Sequence, residues 1–207
     1  MSNGGELLEI GCSSGFMLHG LADEYQFNVS GIEPSGVFSE FLKMKGINVK
    51  DSLESYIEEN PNSKFDLIMH FFVLEHIQDP VPFLKKSYDL LNENGVLVCE
   101  IPNANDPLRT LFPTPEFKDF YWSIAHPWYF THDSIEFLLS KKCGFTNFEV
   151  FGDQRYDLGN HSKWMLKGKP GGQNELDNIF GEDFKKIYRD KLIQAKKCDT
   201  LIFKLYK

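Results

Sequence analysis

Glu6-Leu7-Leu8-Glu9-Ile10-Gly11-Cys12-Ser13-Ser14-Gly15 is the stretch whose reading decides the fold. A short apolar run meets an acid, then two glycines, then the amphipathic segment Phe16 to Tyr25, which reads as a buried strand, a tight turn and a helix. Glycine belongs where a turn needs unusual dihedrals or where a side chain would strike a ligand. Farther along, Val29-Ser30-Gly31-Ile32 ends in Glu33-Pro34. A carboxylate at the tip of a second strand can accept from both vicinal hydroxyls of a ribose. The two segments together describe a nucleoside binder.

Strand and helix patterns alternate through most of the chain. Val37, Phe38, Phe41 and Leu42 share one helical face that stops at Gly46, and Ile47 to Val49 is a short strand ending at Asp51-Ser52. A helix over Leu53 to Glu59 follows, and then Phe65 to Phe72, a nearly continuous apolar run suited to a parallel strand buried on both faces. Pro80 and Pro82 open a helix that ends at Asn92 to Gly95, and Gly95 to Ile101 is the fifth strand. Beyond Ala104 come four prolines and eight aromatic residues before Thr131. Asp133 to Glu136 resembles an Asp-led capping box for a helix ending at Cys143-Gly144. A strand over Phe145 to Phe151, a loop to Asn174, a charged helix over Glu182 to Lys197 and a strand over Thr200 to Tyr206 complete the order. This is an α/β chain with a doubly wound sheet.

At 207 residues the chain suits one domain with a substantial core. Its net charge of -8 argues against a nucleic-acid partner, because phosphates would be repelled. No apolar run approaches the ~20 residues of a membrane span, so no membrane partner is expected. Met1 to Gly5 has neither the basic nor the apolar part of a secretory signal, and a cytoplasmic location is the expectation. The four cysteines are too dispersed for a zinc framework or a disulfide scaffold.

The pattern Glu-x-Gly-x-Ser-x-Gly over Glu9 to Gly15 resembles motif I of the class I S-adenosylmethionine (SAM)-dependent methyltransferases, with Ser13 at the usual middle glycine. It departs from the G-x-G-x-x-G of dinucleotide binders, which places a helix N-terminus on a pyrophosphate that SAM does not have. Leu74-Glu75-His76-Ile77-Gln78-Asp79-Pro80 resembles the family segment L-E-H-x-x-D-P after the fourth strand. The resemblance covers nearly the whole chain and implies a Rossmann-like, mostly parallel seven-stranded sheet with an antiparallel last strand. It implies one domain over 1–207, with substrate-side insertions at 104–132 and 152–180. The helices that usually precede motif I are absent from this sequence, which is then either a fragment or a short form with a more open site.

For the cofactor, the resemblance implies that Glu9, Gly11, Cys12, Ser13 and Gly15 hold the aminoacyl part of SAM and that Glu33 and Pro34 meet the ribose. Asp51 and Ser52 would meet the adenine or, as an alternative, cap the next helix, and His70 and Phe71 would lie under the methionine or sulfonium. The product would be S-adenosylhomocysteine (SAH). A subset of ubiquinone-pathway O-methyltransferases binds a divalent metal through E-x-x-E-H. Here Phe72 stands at the first glutamate, so no metal is expected.

On the acceptor side, His126 and His161 are candidate general bases, since imidazole titrates near neutrality. Trp122, Trp128 and Tyr129 either shape a pocket or pack the insertion onto the sheet. Arg155, Tyr156, Asn160 and Trp164 lie in a segment, R-Y-x-L-x-N-H-x-x-W with a following G-x-P-G-G, that resembles methyltransferases of bacterial surface-polysaccharide and related pathways. It either binds a polar acceptor or is an ordered loop held by its own side chains. The expected reaction is O-, N- or C-methylation of a small-molecule or saccharide acceptor. The rivals are a non-catalytic SAM-binding subunit and an NAD-dependent nucleotide-sugar oxidoreductase. The acceptor atom and the oligomeric state, a homodimer included, stay open.

Overall fold

In the computed structural model, which describes residues 4–207, one seven-stranded sheet runs in the order β3-β2-β1-β4-β5-β7-β6. The expectation about a signal at the N-terminus therefore falls mostly outside the described residues. The strands are β1 (Gly5–Ile10), β2 (Phe27–Ile32), β3 (Asn48–Lys50), β4 (Phe65–Phe71), β5 (Leu91–Pro102), β6 (Phe148–Asp153) and β7 (Thr200–Tyr206). The first five are parallel, and β7 lies antiparallel between β5 and β6. The order reverses between β1 and β4, which opens a crevice beyond their carboxyl ends.

Side chains alternate across each strand, so both faces of β1 are buried: Leu7 packs with Leu18, Leu42 and Met69, while Leu8 and Ile10 join the cluster around Ile68, Leu97 and Phe203. Helices α1 (Phe16–Tyr25) and α2 (Gly36–Met44) supply the first cluster. Helices α3 (Leu53–Glu59), α4 (Pro80–Asp89) and α7 (His132–Phe137) supply the second. The insertion after β5 carries α5 (Pro107–Thr110) and α6 (Pro115–Tyr121), and the segment after β6 carries α8 (Leu158–Lys167) and α9 (Asp177–Gln194). Among the described residues, no helix is long and apolar enough to cross a membrane.

Four expectations need correction. β5 begins at Leu91, because Phe65 pairs with Leu91 before a register shift. The capping box opens on Thr131 with Ser134 as its partner, two residues ahead of Asp133, since the hydroxyls and backbone N–H groups of that pair close on each other. The supposed loop after Arg155 contains α8: Asp157 caps its start by accepting from the Asn160 N–H, and Gly168, at φ 61°, ends it. Ahead of the charged helix lies an unexpected turn of helix from Asp177, broken from it at Gly181, whose φ is 76°.

His70 is the fifth correction. The strand pleat turns it away from Phe71 and into the core between Phe83 and Phe203, where it is fully buried and neither ring nitrogen has a partner. Burial drives its pKa down to about 3. The unfolded chain therefore binds a proton below about pH 6.5 that the folded chain refuses, and stability is lost as pH falls from there toward 3. His70→Leu is expected to leave SAM binding intact and to raise stability by about 1–3 kcal/mol at pH 7.5, by removing two unsatisfied polar atoms. The gain should widen by roughly 2–3 kcal/mol at pH 4.5. Urea titrations of both proteins at the two pH values measure it, and a gain independent of pH would refute the buried neutral imidazole.

Candidate functional site

The turn after β1 is held open by its glycines. Gly11 (φ 78°) and Gly15 (φ 75°) both take left-handed backbone, and an added Cβ would lie 2.5 Å from Val73 Cγ2 or 2.4 Å from Leu42 Cδ2. Ser13 is also left-handed, at φ 48°, and its N–H donates to Glu33 Oε2 at 2.7 Å. Glu33 Oε1 accepts from the Ser35 N–H, also at 2.7 Å. One buried carboxylate thus ties the glycine turn to the end of β2. Below the turn, Glu9 is 5% exposed, its Oε2 has no partner, and burial raises its pKa to about 7. An ammonium group, directly or through water, is the kind of partner that would relieve such a group.

A cleft of about 450 Å³ runs from this turn along the ends of β2, β3 and β4, and among its walls are Gly11, Glu33, Pro34, Asp51, Ser52 and Phe71. Cys12 and Gly15 are buried beneath the turn, and Ser13 is exposed on it. Ser52 caps α3, with Ser55 N–H donating to its hydroxyl, so the capping alternative holds for it. Asp51 is exposed, accepts from the Ser55 hydroxyl at 2.7 Å, and that bond lowers its pKa.

A second cavity, of about 350 Å³, lies between the two insertions. It shares Phe72 and His76 with the cleft. Phe72 has a φ of 56°, a strained conformation for an aromatic residue, at the join between the two spaces. The cavity brings together His126, Tyr129, Arg155, Tyr156, His161 and Trp164, and Asn160 joins them. Trp122 and Trp128 are not on its wall: the Arg109 guanidinium lies 4.5 Å over the Trp122 ring, and Trp128 donates Nε1–H to the Gln78 carbonyl. For these two, packing of the insertion is what the geometry shows.

The polar wall is built from β6, β7 and α8. Asp199 accepts from Gln154 Nε2, the backbone N–H groups of Arg155 and Tyr156, and the Thr200 hydroxyl. This network fixes Arg155, whose guanidinium lies 4.4 Å over the Phe72 ring and 4.0 Å from Glu100 Oε1. His161 Nδ1 is 2.6 Å from the Tyr188 hydroxyl, and burial drives its pKa down to about 4. His126 packs edge-on against His76 at 4.5 Å, and burial, then the charge of His76, lowers its pKa.

Sequence reasoning missed Asp106, Tyr121, Phe117 and Phe120, which also line the cavity. Asp106 caps α5 by accepting from the Leu108 N–H at 2.7 Å, and burial raises its pKa to about 7. The available signal was the Asn-Asp-Pro run directly after β5, a helix-start pattern at the carboxyl edge of the sheet.

A doubly wound sheet with a glycine turn at its crossover, a carboxylate just after β2 and an antiparallel β7 between β5 and β6 is the Rossmann-like arrangement that the motif I resemblance implies. A protein-family model described as a methyltransferase domain matches residues 2–150, and the chain belongs to that family. The chain is 29% identical over 153 residues to the tRNA U34 carboxymethyltransferase of Pseudoalteromonas translucida, covering 71% of this chain and 46% of that protein. It is 30% identical over 148 residues to the protein of that name from Shewanella halifaxensis, covering 68% and 44%. The chain thus spans less than half the length of these two relatives. Among solved structures, a SAM-dependent methyltransferase from Archaeoglobus fulgidus superimposes with a TM-score of 0.65 at 19% identity, over 100% of this chain and 87% of that one. The plantazolicin methyltransferase BamL, solved with SAH bound, gives 0.62 at 19% identity, over 98% and 76%. At such identities these structures show the shared fold.

Proposed function

We propose that the chain transfers the methyl group of SAM, held in the cleft, to a small-molecule or saccharide acceptor in the neighbouring cavity. The junction of the two spaces at Phe72 and His76 carries this reading, since transfer requires donor and acceptor in line across one opening. Glu9, Gly11, Cys12, Ser13 and Gly15 would hold the aminoacyl end, Glu33 and Pro34 the ribose, and Asp51 and Ser52 the adenine side, with Phe71 packing beneath. When bound, SAM supplies an electrophilic methyl on a sulfonium. The insertions at 104–132 and 152–180 exclude water with aromatic rings and orient the acceptor through Arg155 and Asn160.

His161 is the proposed proton acceptor for a hydroxyl, with Tyr188 orienting its ring. Its depressed pKa keeps it neutral at pH 7. His126, the other base expected from the sequence, packs against His76 instead. His161→Ala is expected to lower turnover by about 10²-fold or more with SAM affinity unchanged. Turnover equal to the parent's at every pH would remove it as the base.

The relatives' name favours a second reading, a nucleoside acceptor, against the net charge of -8. A base turned out of its stack could rest on the cavity's rings. SAH release measured with sugars, small hydroxyl and amine compounds, and unmodified tRNA separates the two. Turnover with tRNA alone would overturn the small-molecule reading.

A further inference from the structure

Glu75, His76 and His126 each place one potential ligand atom within 4.8 Å of the other two. The first two sit in the 3-10 turn after β4, and the third comes from the insertion after β5. Glu75 is 2% exposed, and its Oε2 has no hydrogen-bond partner. A carboxylate buried in that condition is costly unless a cation stands beside it. His76 Nδ1 lies 2.9 Å from the Ala125 carbonyl oxygen. A carbonyl can only accept, so Nδ1 carries the proton and Nε2 keeps its lone pair. A backbone carbonyl orienting an imidazole in this way is the usual support behind a metal-bound histidine. The His126 ring meets the His76 ring edge-on at 4.5 Å.

We propose that Glu75, His76 and His126 bind one divalent first-row metal ion, Zn²⁺ or a close substitute, in the wall between cleft and cavity. One carboxylate and two imidazoles suit such an ion and leave coordination positions open. With bonds of about 2.1 Å, tetrahedral ligand atoms stand roughly 3.4 Å apart, so the set closes by small rotations of the exposed His76 and the half-buried His126. Spacing along the sequence pairs Glu75 with position 72, where Phe72 offers no ligand, and the fold brings in His126 instead. All three residues line the acceptor cavity, so the open positions face the acceptor.

The ion's role rests on the proposed function. It draws on an acceptor hydroxyl and lowers its pKa. The O–H bond loses its proton to His161, the oxygen forms a bond to the methyl carbon, and the carbon–sulfur bond breaks with its electron pair left on a neutral thioether.

Binding is tested without substrate, by titrating chelator-treated protein with Co²⁺ and following its visible absorption. The expected result is one saturable equivalent, displaced by Zn²⁺ and weakened roughly 100-fold or more in His126→Ala and in Glu75→Gln. SAH binding in each variant verifies its fold, and His126→Gln replaces His126→Ala if the latter does not fold. Half-buried His132 forms a separate cluster with Asp133 and Glu136, so His132→Ala is the control and should bind like the parent. No saturable signal at millimolar Co²⁺, equal binding in His126→Ala, or loss in His132→Ala alone would each overturn the site. Failure of the proposed function would show in the SAH-release panel and leave this binding isotherm unchanged.

Discussion

Glu33→Ala is expected to weaken SAM binding about 100-fold or more, the largest single loss of cofactor affinity in this chain. The carboxylate has two tasks that fail together. Proposed as the ribose acceptor, it would give up charge-assisted hydrogen bonds of about 1.5–3 kcal/mol each. It also receives the N–H groups of Ser13 and Ser35, so alanine leaves the glycine turn untied from the end of β2. A loss of about 3 kcal/mol already exceeds 100-fold in Kd. Calorimetry with SAM and SAH, run beside NAD as the control ligand, measures this. Glu33→Gln, which keeps one oxygen, should fall between parent and alanine. A Kd within about threefold of the parent would remove Glu33 from the cofactor site.

Gly159→Ala is expected to lower the melting temperature by about 5–10 °C and to raise the acceptor KM, with SAM affinity preserved. The two backbones of the acceptor wall touch here: a Cβ on Gly159 would lie 2.2 Å from the Gly172 carbonyl oxygen, and one on Gly172 would lie 2.6 Å from that of Gly159. Around this contact the Asp157 carboxylate accepts from the Asn160 and Asn174 N–H groups, and Asn160 Nδ2–H donates to the Gly171 carbonyl. Alanine would ordinarily favour the first turn of α8 by about 1 kcal/mol. Overpacking against a fixed backbone oxygen costs more, about 2–3 kcal/mol, and decides the sign. The cofactor cleft lies over β1 to β4, away from this clasp. A melting temperature at or above the parent's would show that the 168–175 segment yields freely.

Local chemistry made much of this legible in the sequence. The apolar runs of β1 and β4 can be satisfied only in a sheet covered on both faces, and Gly11, Gly15 and Glu33 mark a tight strand–helix turn because their roles depend on nearby backbone. Arg155, Asn160 and Trp164 stood out as a polar and aromatic cluster, but α8 did not, because its start depends on the Asp157 cap within a run rich in glycine and polar residues. His70 and Phe71 are adjacent in sequence and opposite in space: the pleat sends one to the core and the other to the cleft.

The sequence by itself determined the alternation of strands and helices through β5, which short-range patterns of burial and dihedral preference carry, and its motifs at Glu9 to Gly15 and Leu74 to Pro80 carried the resemblance to the methyltransferase family. Only the tertiary structure decided that Phe72 and His76 join the two spaces, that Asp106 and Tyr121 line the second, and that His126 meets Glu75 and His76. Those relations join residues far apart in the chain, and they follow from how the insertion after β5 folds back over the sheet edge, which no local pattern specifies.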